Sequence, residues 1–313
     1  MGKERKTFIA FFDLLGVKSI AEFNFKLYYE HINIFQSHLS ELAKKYQGIE
    51  IYAFSDCAYL ESKSIRELIQ LLRELRRVLF VERIYFNAAV TVGSLKAKKH
   101  TQKQNDFTMF QSSDTVKVFS SQVSFTGIGI LIDEEAKKEI DGDLRKQLIK
   151  SAYCVNFDPN GISTFKEFTD VKYLDTSVEL LEYLIKKYLS TLTLNVKAAR
   201  YYISAIITFI RQLDFSDLVD NYIKIMYAKQ YRDQFISALL PIDLLFINAI
   251  YDGYDEKLEF ITDLNIVNKV TDALDIVISK SYLTKGIVDL RLQSDSIISK
   301  TNKNLLSEYL FAY

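Results

Sequence analysis

The chain has 313 residues, of which 49% are hydrophobic and 26% charged, a composition typical of a soluble protein with a substantial core. Lys plus Arg and Asp plus Glu both number 40, so the bulk charge indicates neither a nucleic-acid nor an anionic-membrane partner. The two cysteines, Cys57 and Cys154, exclude a disulfide framework, and no apolar run reaches the roughly 20 residues of a membrane span. We therefore expect a cytoplasmic protein.

The length predicts about two domains, and the pattern of the sequence changes near Asp170. Residues 1–170 alternate strand-like and helix-like segments. Residues 171–313 show apolar side chains at three- and four-residue spacing with short connections, as in a helical bundle. We predict an α+β domain over residues 1–170, followed by an all-α domain over residues 171–313. The second domain offers no chemistry, so its expected role is to contact a protein partner.

The first strong strand signal lies in residues 7–17, TFIAFFDLLGV. Five consecutive apolar residues predict a strand that is buried on both faces. Asp13 follows this run directly, and Gly16 predicts a tight turn before an amphipathic segment. A carboxylate at the end of a buried strand is costly to keep ionised unless it is paired, and a divalent cation is a common partner.

A second aspartate has a similar setting, because Asp56 lies within IEIYAFSDCAYL, residues 49–60. If the two strands are close in one sheet, Asp13 and Asp56 converge and can hold Mg²⁺ together with a phosphate-bearing substrate. The alternative from the residues alone is that each aspartate caps a turn or pairs with a nearby Lys or Arg.

The segments that follow complete an alternating order. Ser64 and Glu67 form a capping box that starts a helix. Residues 84–95 predict a third strand, and residues 96–103, KAKKHTQK, predict a basic loop. Three further segments are predicted: a helix or strand over 116–132, an exposed helix over 133–150, and a hairpin over 151–168 that turns at 158–161. The order favours a ferredoxin-like β-α-β-β-α-β core with additions.

Three short motifs resemble class III nucleotidyl cyclases and their bacterial relatives. FFDLLGV, residues 11–17, resembles the first metal motif, and Phe54-Ser55-Asp56 resembles the second, which lies at a hairpin turn. NAAVTVG, residues 87–93, is similar to a later strand of that family. The resemblance covers residues 7–168 and implies a ferredoxin-like nucleotidyl cyclase or palm core, followed here by the helical domain.

The resemblance also implies roles for individual residues. Asp13 and Asp56 would be the catalytic metal ligands for Mg²⁺ or Mn²⁺. The backbone amides of Leu14, Leu15, Gly16 and Val17 would form the turn that holds the triphosphate.

The sequence departs from the family at other positions. Leu131 and Glu135 stand where the cyclases place an Asn and an Arg that stabilise the transition state and bind the ribose. No Gly-Gly-Asp/Glu hairpin surrounds Asp56, which disfavours a diguanylate cyclase, and no base-selecting Lys/Asp pair is recognisable.

The function that the resemblance implies is conversion of a nucleoside triphosphate to a cyclic product and pyrophosphate by a homodimer, as a bacterial stress or antiviral signal. Two alternatives remain at this point. One is a degenerate cyclase domain that binds nucleotide without turnover and acts as a sensor or scaffold through its helical domain. The other is a helical interaction protein whose first domain is only structural.

Overall fold

A computed structural model describes residues 6–102, 105–156 and 164–213 of the chain. These residues fall into two units. The described part of the first unit comprises residues 6–102, 105–156, 164–176 and 200–208, and that of the second comprises residues 177–199 and 209–213. The helices predicted beyond residue 213 lie outside the described residues.

The core of the first unit is built from seven elements. They are β1 Phe8–Leu14, α1 Val17–Phe23, α2 Phe25–Lys45, β2 Ile49–Phe54, β3 Cys57–Ser62, α3 Ile65–Val81 and β4 Phe86–Val92. Their strands lie in the order β2-β3-β1-β4, and every neighbouring pair is antiparallel. This is the strand order of a ferredoxin-like β-α-β-β-α-β unit, so the predicted fold class is confirmed.

Strand β1 lies inside the sheet and is buried on both faces, as its continuous apolar run predicts. Alternate residues point to opposite sides. Phe8, Ala10 and Phe12 pack in the main core with the helices α2 and α3, whereas Ile9 and Phe11 belong to a smaller cluster on the opposite face. The side chain of Asp13 therefore lies on the face that is opposite to α2 and α3.

Both long helices begin with a side-chain cap. The Asn24 side chain accepts a hydrogen bond from the Leu27 amide at the start of α2, and Ser64 accepts one from the Glu67 amide at the start of α3. The predicted helix start at Ser64 is therefore correct. Helix α3 buries a leucine-rich face in the main core, and its charged residues lie largely outside that face.

Further elements extend the sheet and cover its second face. They are β5 Ala97–Gln102, β6 Asn105–Phe110, α4 Ser113–Ser124, β7 Gly129–Ile132, α5 Glu134–Lys138, α6 Gly142–Arg145, β8 Leu148–Asn156 and β9 Thr164–Val171. Strand β7 pairs parallel with β4, and the full order of the large sheet is β2-β3-β1-β4-β7-β9-β8. Strands β5 and β6 form a separate two-stranded sheet.

Three of the predicted segments need correction. The basic segment 96–103 is not a loop, because it contains strand β5. Residues 116–132 contain both the end of a helix and strand β7, separated at Gly127. Residues 133–150 form two short helices and the start of β8 rather than one exposed helix, and they bury Ile140 and Leu144. The predicted hairpin is present as β8 and β9, and its turn at 158–161 lies outside the described residues.

The described helical segments after the sheet are α7 Val178–Leu194 and α8 Val196–Ile210. Residues 200–208 of α8 belong to the first unit, where the Ile128 amide donates to Ser204 Oγ at 2.7 Å. The boundary at residue 170 stays a prediction, and the first unit includes residues on both sides of it. None of the helices in the described part of the chain is long and apolar enough to cross a membrane.

A buried ion pair joins α3 to β9 inside the first unit. Arg76 Nη1 donates to Asp170 Oδ1 at 3.1 Å, and the two side chains are 2% and 0% exposed. Asp170 also accepts hydrogen bonds from the amides of Ile130 and Val171 and from Thr208 Oγ1. Burial raises the pKa of Asp170, whereas the Arg76 guanidinium and the hydrogen bonds oppose that shift.

Candidate functional site

Asp13 is the sixth residue of β1 and lies between two neighbouring strands. Its directly opposite residues are Cys57 on β3 and Asn87 on β4. Residues that lie opposite each other in an antiparallel pair project from the same face of the sheet. The side chains of Asp13, Cys57 and Asn87 therefore share one face, and the first two are half-buried.

Asp56 lies in the two-residue turn between β2 and β3. The position within a strand, inferred from the apolar context, is therefore wrong, whereas the hairpin position implied by the family resemblance agrees with the structure. Two hydrogen bonds fix the turn. The Leu14 amide donates to the Asp56 carbonyl at 2.9 Å, and Ser55 Oγ and Tyr28 Oη are 2.9 Å apart.

The two predicted carboxylates converge. One oxygen of Asp13, one oxygen of Asp56 and the sulfur of Cys57 all lie within 4.8 Å of one another. A metal–oxygen bond of about 2.1 Å lets two carboxylates at this separation share one cation after small side-chain rotations. The role of Asp13 and Asp56 as metal ligands remains a prediction. The two carboxylates lie close enough together to share a cation, as that role requires.

The electrostatics of the pair favour a cation. Burial, and then the charge of Asp56, raise the pKa of Asp13 from 3.8 to about 6. Burial and the two carboxylates also raise the pKa of Cys57 to about 11, so that its thiol is neutral at physiological pH. Two half-buried carboxylates that repel each other are stabilised when a divalent ion neutralises both. This donor set fits Mg²⁺ or Mn²⁺, which prefer carboxylate oxygens.

The predicted anion-binding turn divides into two parts. The amide of Leu14 donates to the Asp56 carbonyl, and the amide of Leu15 donates to the Tyr85 carbonyl at 2.8 Å. Those two donors are therefore already engaged with protein acceptors. Gly16 adopts a φ of 79°, which favours glycine, and it is the N-cap of α1. The amides of Gly16 and Val17, at the start of that helix, are the ones available to a phosphate group.

The two positions that depart from the family pattern have structural roles here. Leu131 on β7 packs against both the cluster around Phe11 and the aromatic cluster of Phe125. Glu135 is exposed on α5 and forms an ion pair with Lys117. Neither side chain supplies the amide or the guanidinium that the cyclases have at these places.

Two polar residues near the carboxylates were missed by the sequence analysis, namely Asn87 and Cys57. Asn87 is buried, donates from Nδ2 to the Phe125 carbonyl at 2.9 Å and accepts from Gln122 Nε2 at 2.5 Å. An asparagine inside an apolar strand is the signal that could have identified it. Cys57 is next to Asp56 in sequence, but its position opposite Asp13 follows from the strand register.

A separate cleft of about 470 Å³ lies beside helices α2 and α3 and does not include Asp13 or Asp56. Three of its four charged side chains are already engaged: Lys45 pairs with Glu74 at 2.6 Å, and Arg73 donates to the carbonyls of Lys172 and Tyr173. We therefore regard the Asp13–Asp56 pair, and not this cleft, as the candidate site.

No protein-family model matches the chain, and no curated protein matches it in sequence. Solved structures of adenylyl and guanylyl cyclases, the family that the sequence resembles, do match it. An adenylate cyclase from Trypanosoma brucei, solved in its monomeric state, is 13% identical, covers 55% of this chain and 91% of its own, and has a TM-score of 0.42.

Two further matches are similar in extent. The adenylyl cyclase CyaB from P. aeruginosa is 15% identical and covers 55% of this chain and 96% of its own, with a TM-score of 0.40. The guanylate cyclase domain of RhGC from Catenaria anguillulae, solved in complex with GTP, is 11% identical and covers 55% of this chain and 100% of its own, with a TM-score of 0.39. The ferredoxin-like assignment rests on the strand order of this chain.

Proposed function

We propose that the protein is a metal-dependent nucleotidyl cyclase that converts a nucleoside triphosphate to a cyclic nucleotide and pyrophosphate. The observation that carries this proposal is the convergence of Asp13 and Asp56 within 4.8 Å, at the end of a central strand and in the adjoining hairpin turn. The order of the motifs that carry these residues, in a ferredoxin-like sheet, supports the same class of reaction.

Asp13 and Asp56 would hold Mg²⁺ or Mn²⁺ through carboxylate oxygens. Bound there, a cation supplies Lewis-acid activation of the ribose hydroxyl and neutralises the leaving pyrophosphate. The burial that raises the pKa of Asp13 also lowers the local dielectric, which strengthens the interaction of both carboxylates with a cation. The hydrogen bond from the Leu14 amide to the Asp56 carbonyl holds the β2–β3 turn against the end of β1, and so keeps the two carboxylates close together.

The amides of Gly16 and Val17 would orient the triphosphate. They lie three and four residues after Asp13, at a helix N-terminus where backbone donors and the helix dipole favour anions. Phosphate oxygens at this point would complete the coordination of the cation. Leu14 and Leu15 would contribute by shaping the turn, because their amides already donate to protein carbonyls.

The proposal includes a homodimer. Val116, Phe119 and Val123 are exposed large apolar residues at three- and four-residue spacing, so they form one stripe on α4. Helix α4 lies on the face of the sheet that also carries Asp13. A second copy that covers this stripe would exclude water beside the site.

The proposal has three further parts. The protein would be cytoplasmic, its helical domain would bind a protein partner, and the cyclic product would act in bacterial stress or antiviral signalling.

A nucleotide-binding sensor without turnover is the second candidate. It is favoured by Leu131 and Glu135, which pack or form an ion pair at the places where the cyclases have an Asn and an Arg. In such a sensor Asp13 and Asp56 would still hold a metal–nucleotide complex, and the signal would pass to the helical domain.

One experiment separates these candidates. The full chain is incubated with each nucleoside triphosphate and Mg²⁺ or Mn²⁺, and the products are separated and identified by mass. A cyclic product with pyrophosphate supports the cyclase. A rise in melting temperature with nucleotide and metal, without product, supports the sensor. The absence of both product and thermal shift overturns both nucleotide functions.

A further inference from the structure

The carboxylate site contains a sulfur donor that the proposed Mg²⁺ chemistry does not use. Cys57 is the first residue of β3, directly opposite Asp13 and next to Asp56 in sequence. Its Sγ atom lies within 4.8 Å of one oxygen of each carboxylate. Three potential ligands from the end of β1 and the β2–β3 hairpin therefore surround one point.

The separations suit a tetrahedral ion. Zn–S bonds are about 2.3 Å and Zn–O bonds about 2.0–2.2 Å, so two donors on one tetrahedral ion are about 3.4–3.6 Å apart. Each pair of donors here is within 4.8 Å, and small rotations of half-buried side chains close the difference. Three protein donors with an open fourth position form the arrangement found in catalytic rather than structural zinc sites.

The chemistry of the donors separates two kinds of cation. Mg²⁺ takes oxygen ligands and does not select a thiolate, whereas Zn²⁺, Co²⁺ and Cd²⁺ bind thiolates well. The other cysteine, Cys154, is buried on β8 and donates to the Asn156 carbonyl. Strand β8 is four strands from β1 in the sheet, roughly 19 Å at the usual strand spacing, so Cys154 cannot reach the same ion.

We propose that Cys57, together with Asp13 and Asp56, forms a site for a thiophilic divalent cation of the Zn²⁺ class. Binding forms a metal–sulfur bond, and the thiol proton passes to solvent. This ion occupies the position proposed for Mg²⁺ or Mn²⁺, so the two kinds of cation compete, and Cys57 determines which is preferred. The competition rests on the proposed function, whereas the site itself does not require nucleotide or turnover.

Cobalt absorption tests the site directly. Co²⁺ is titrated into the reduced full chain, and the thiolate-to-cobalt charge-transfer band is followed in the near ultraviolet. The chain has two cysteines, so a band can arise from only two residues. We expect a band in the wild type and in the Cys154→Ala variant, and none in Cys57→Ser.

Affinity and competition complete the test. The loss of an outer-shell partner alone lowers metal affinity about 10–100-fold, so Cys57→Ser should weaken Zn²⁺ binding by at least that factor in competition with a chelating dye. Excess Mn²⁺ should remove the cobalt band, because both ions use Asp13 and Asp56. Thermal unfolding of each variant without metal shows that the fold is retained.

Two results would overturn the proposal. One is a wild-type protein that binds Co²⁺ without a charge-transfer band, and the other is a band that survives in Cys57→Ser. If the proposed cyclase function is wrong but the sulfur site is right, the protein would show the cobalt band and make no cyclic product. Turnover with Mg²⁺ in a protein that shows no band would leave the cyclase and reject the sulfur site.

Discussion

The backbone amide of Leu14 donates a 2.9 Å hydrogen bond to the carbonyl oxygen of Asp56. This bond connects the residue after one candidate ligand with the backbone of the other. The turn between β2 and β3 is therefore held against the end of β1 by the backbone itself. The separation of the two carboxylates depends on main-chain pairing, so substitution of either side chain leaves the arrangement of the strands in place.

The first prediction concerns the two aspartates. Asp13→Asn and Asp56→Asn should each lower turnover by about three decades, because losing a charged ligand removes several kcal/mol of transition-state stabilisation. The fold should persist, since amide and carboxylate have nearly the same shape. Product mass and thermal unfolding measure the two effects. Asp143→Asn is the matched control, because Asp143 is an exposed acid on α6. Full activity in either site variant would contradict the metal role.

The second prediction concerns pH. The pKa of Asp13 is raised in the folded protein from 3.8 to about 6, so the folded state binds its proton more tightly than the unfolded state. The contribution of Asp13 to stability is therefore present below about pH 4 and is lost as the pH rises towards 6. Without metal, the free energy of unfolding of wild type relative to Asp13→Asn should fall over that interval and stay level above it.

Urea unfolding at a series of pH values, with a chelator present, measures this difference. A difference that rises with pH between 4 and 6 would contradict the raised pKa.

The third prediction concerns the buried pair of Arg76 and Asp170. Arg76→Met should cost about 3–5 kcal/mol, because it leaves a buried carboxylate without its partner. The double variant Arg76→Met/Asp170→Leu should recover part of the loss, since no buried charge then remains. Lys146→Met is the control, because it breaks the exposed ion pair with Asp143 and should cost less than about 1 kcal/mol. Equal costs for the single and double variants would argue against a coupled pair.

The fourth prediction concerns the stripe on α4. Val116→Asp and Val123→Asp should each shift a dimer towards monomer, because a charge would be buried at the interface. Sedimentation velocity at several concentrations measures the change. Val81→Asp, at the end of α3, is the matched control, because Val81 is 75% exposed and lies outside the stripe. A wild-type protein that is monomeric at all concentrations would reject the homodimer.

The fifth prediction concerns the packing of α8 in the first unit. A Cβ at position 127 would lie 2.5 Å from Ser204 Oγ and 2.8 Å from Ser204 Cβ. Gly127→Ala should therefore destabilise the first unit by about 1–3 kcal/mol, as overpacking does. Gly48→Ala is the control, because its Cβ would meet only the flexible end of Glu67. Equal melting temperatures for the two variants would contradict this prediction, because they would show that α8 moves to accommodate the added methyl group.

The sequence predicted that Asp13 and Asp56 converge. The apolar run before Asp13 predicts a buried strand, and the alternation with capped helices favours a ferredoxin-like order. The hairpin position of Asp56 came from the family resemblance, because its apolar context wrongly indicated a place within a strand. The features that the sequence did not predict depend on contacts between residues that are distant in sequence. The engagement of the Leu14 and Leu15 amides requires carbonyls from the β2–β3 turn and from Tyr85. The position of Cys57 opposite Asp13 follows from strand register.

Two errors in the predicted secondary structure have different causes. Strand β5 is built from polar and basic residues, so it lacks the alternation that predicts a strand and is stabilised by pairing with β6. The segment from 133 to 150 is rich in charge, yet Ile140 and Leu144 are buried in the main core. The predicted helix is interrupted at residues 139–141, between α5 and α6, and Gly142 at the start of α6 has a φ of 42°, which is incompatible with a right-handed helix that continues through it.

The central position of β1 has a consequence for synthesis of the chain. Its neighbours β3 and β4 end at Ser62 and Val92, so β1 is made long before both of its edges can be paired. At about 5–20 residues per second, roughly 4–16 s pass between the end of β1 and the end of β4. During that time the nascent chain carries FIAFF, residues 8–12, an uncharged apolar segment of the kind that self-associates as strands. The yield of folded protein should therefore depend on chaperones that bind this segment while the ribosome completes β4.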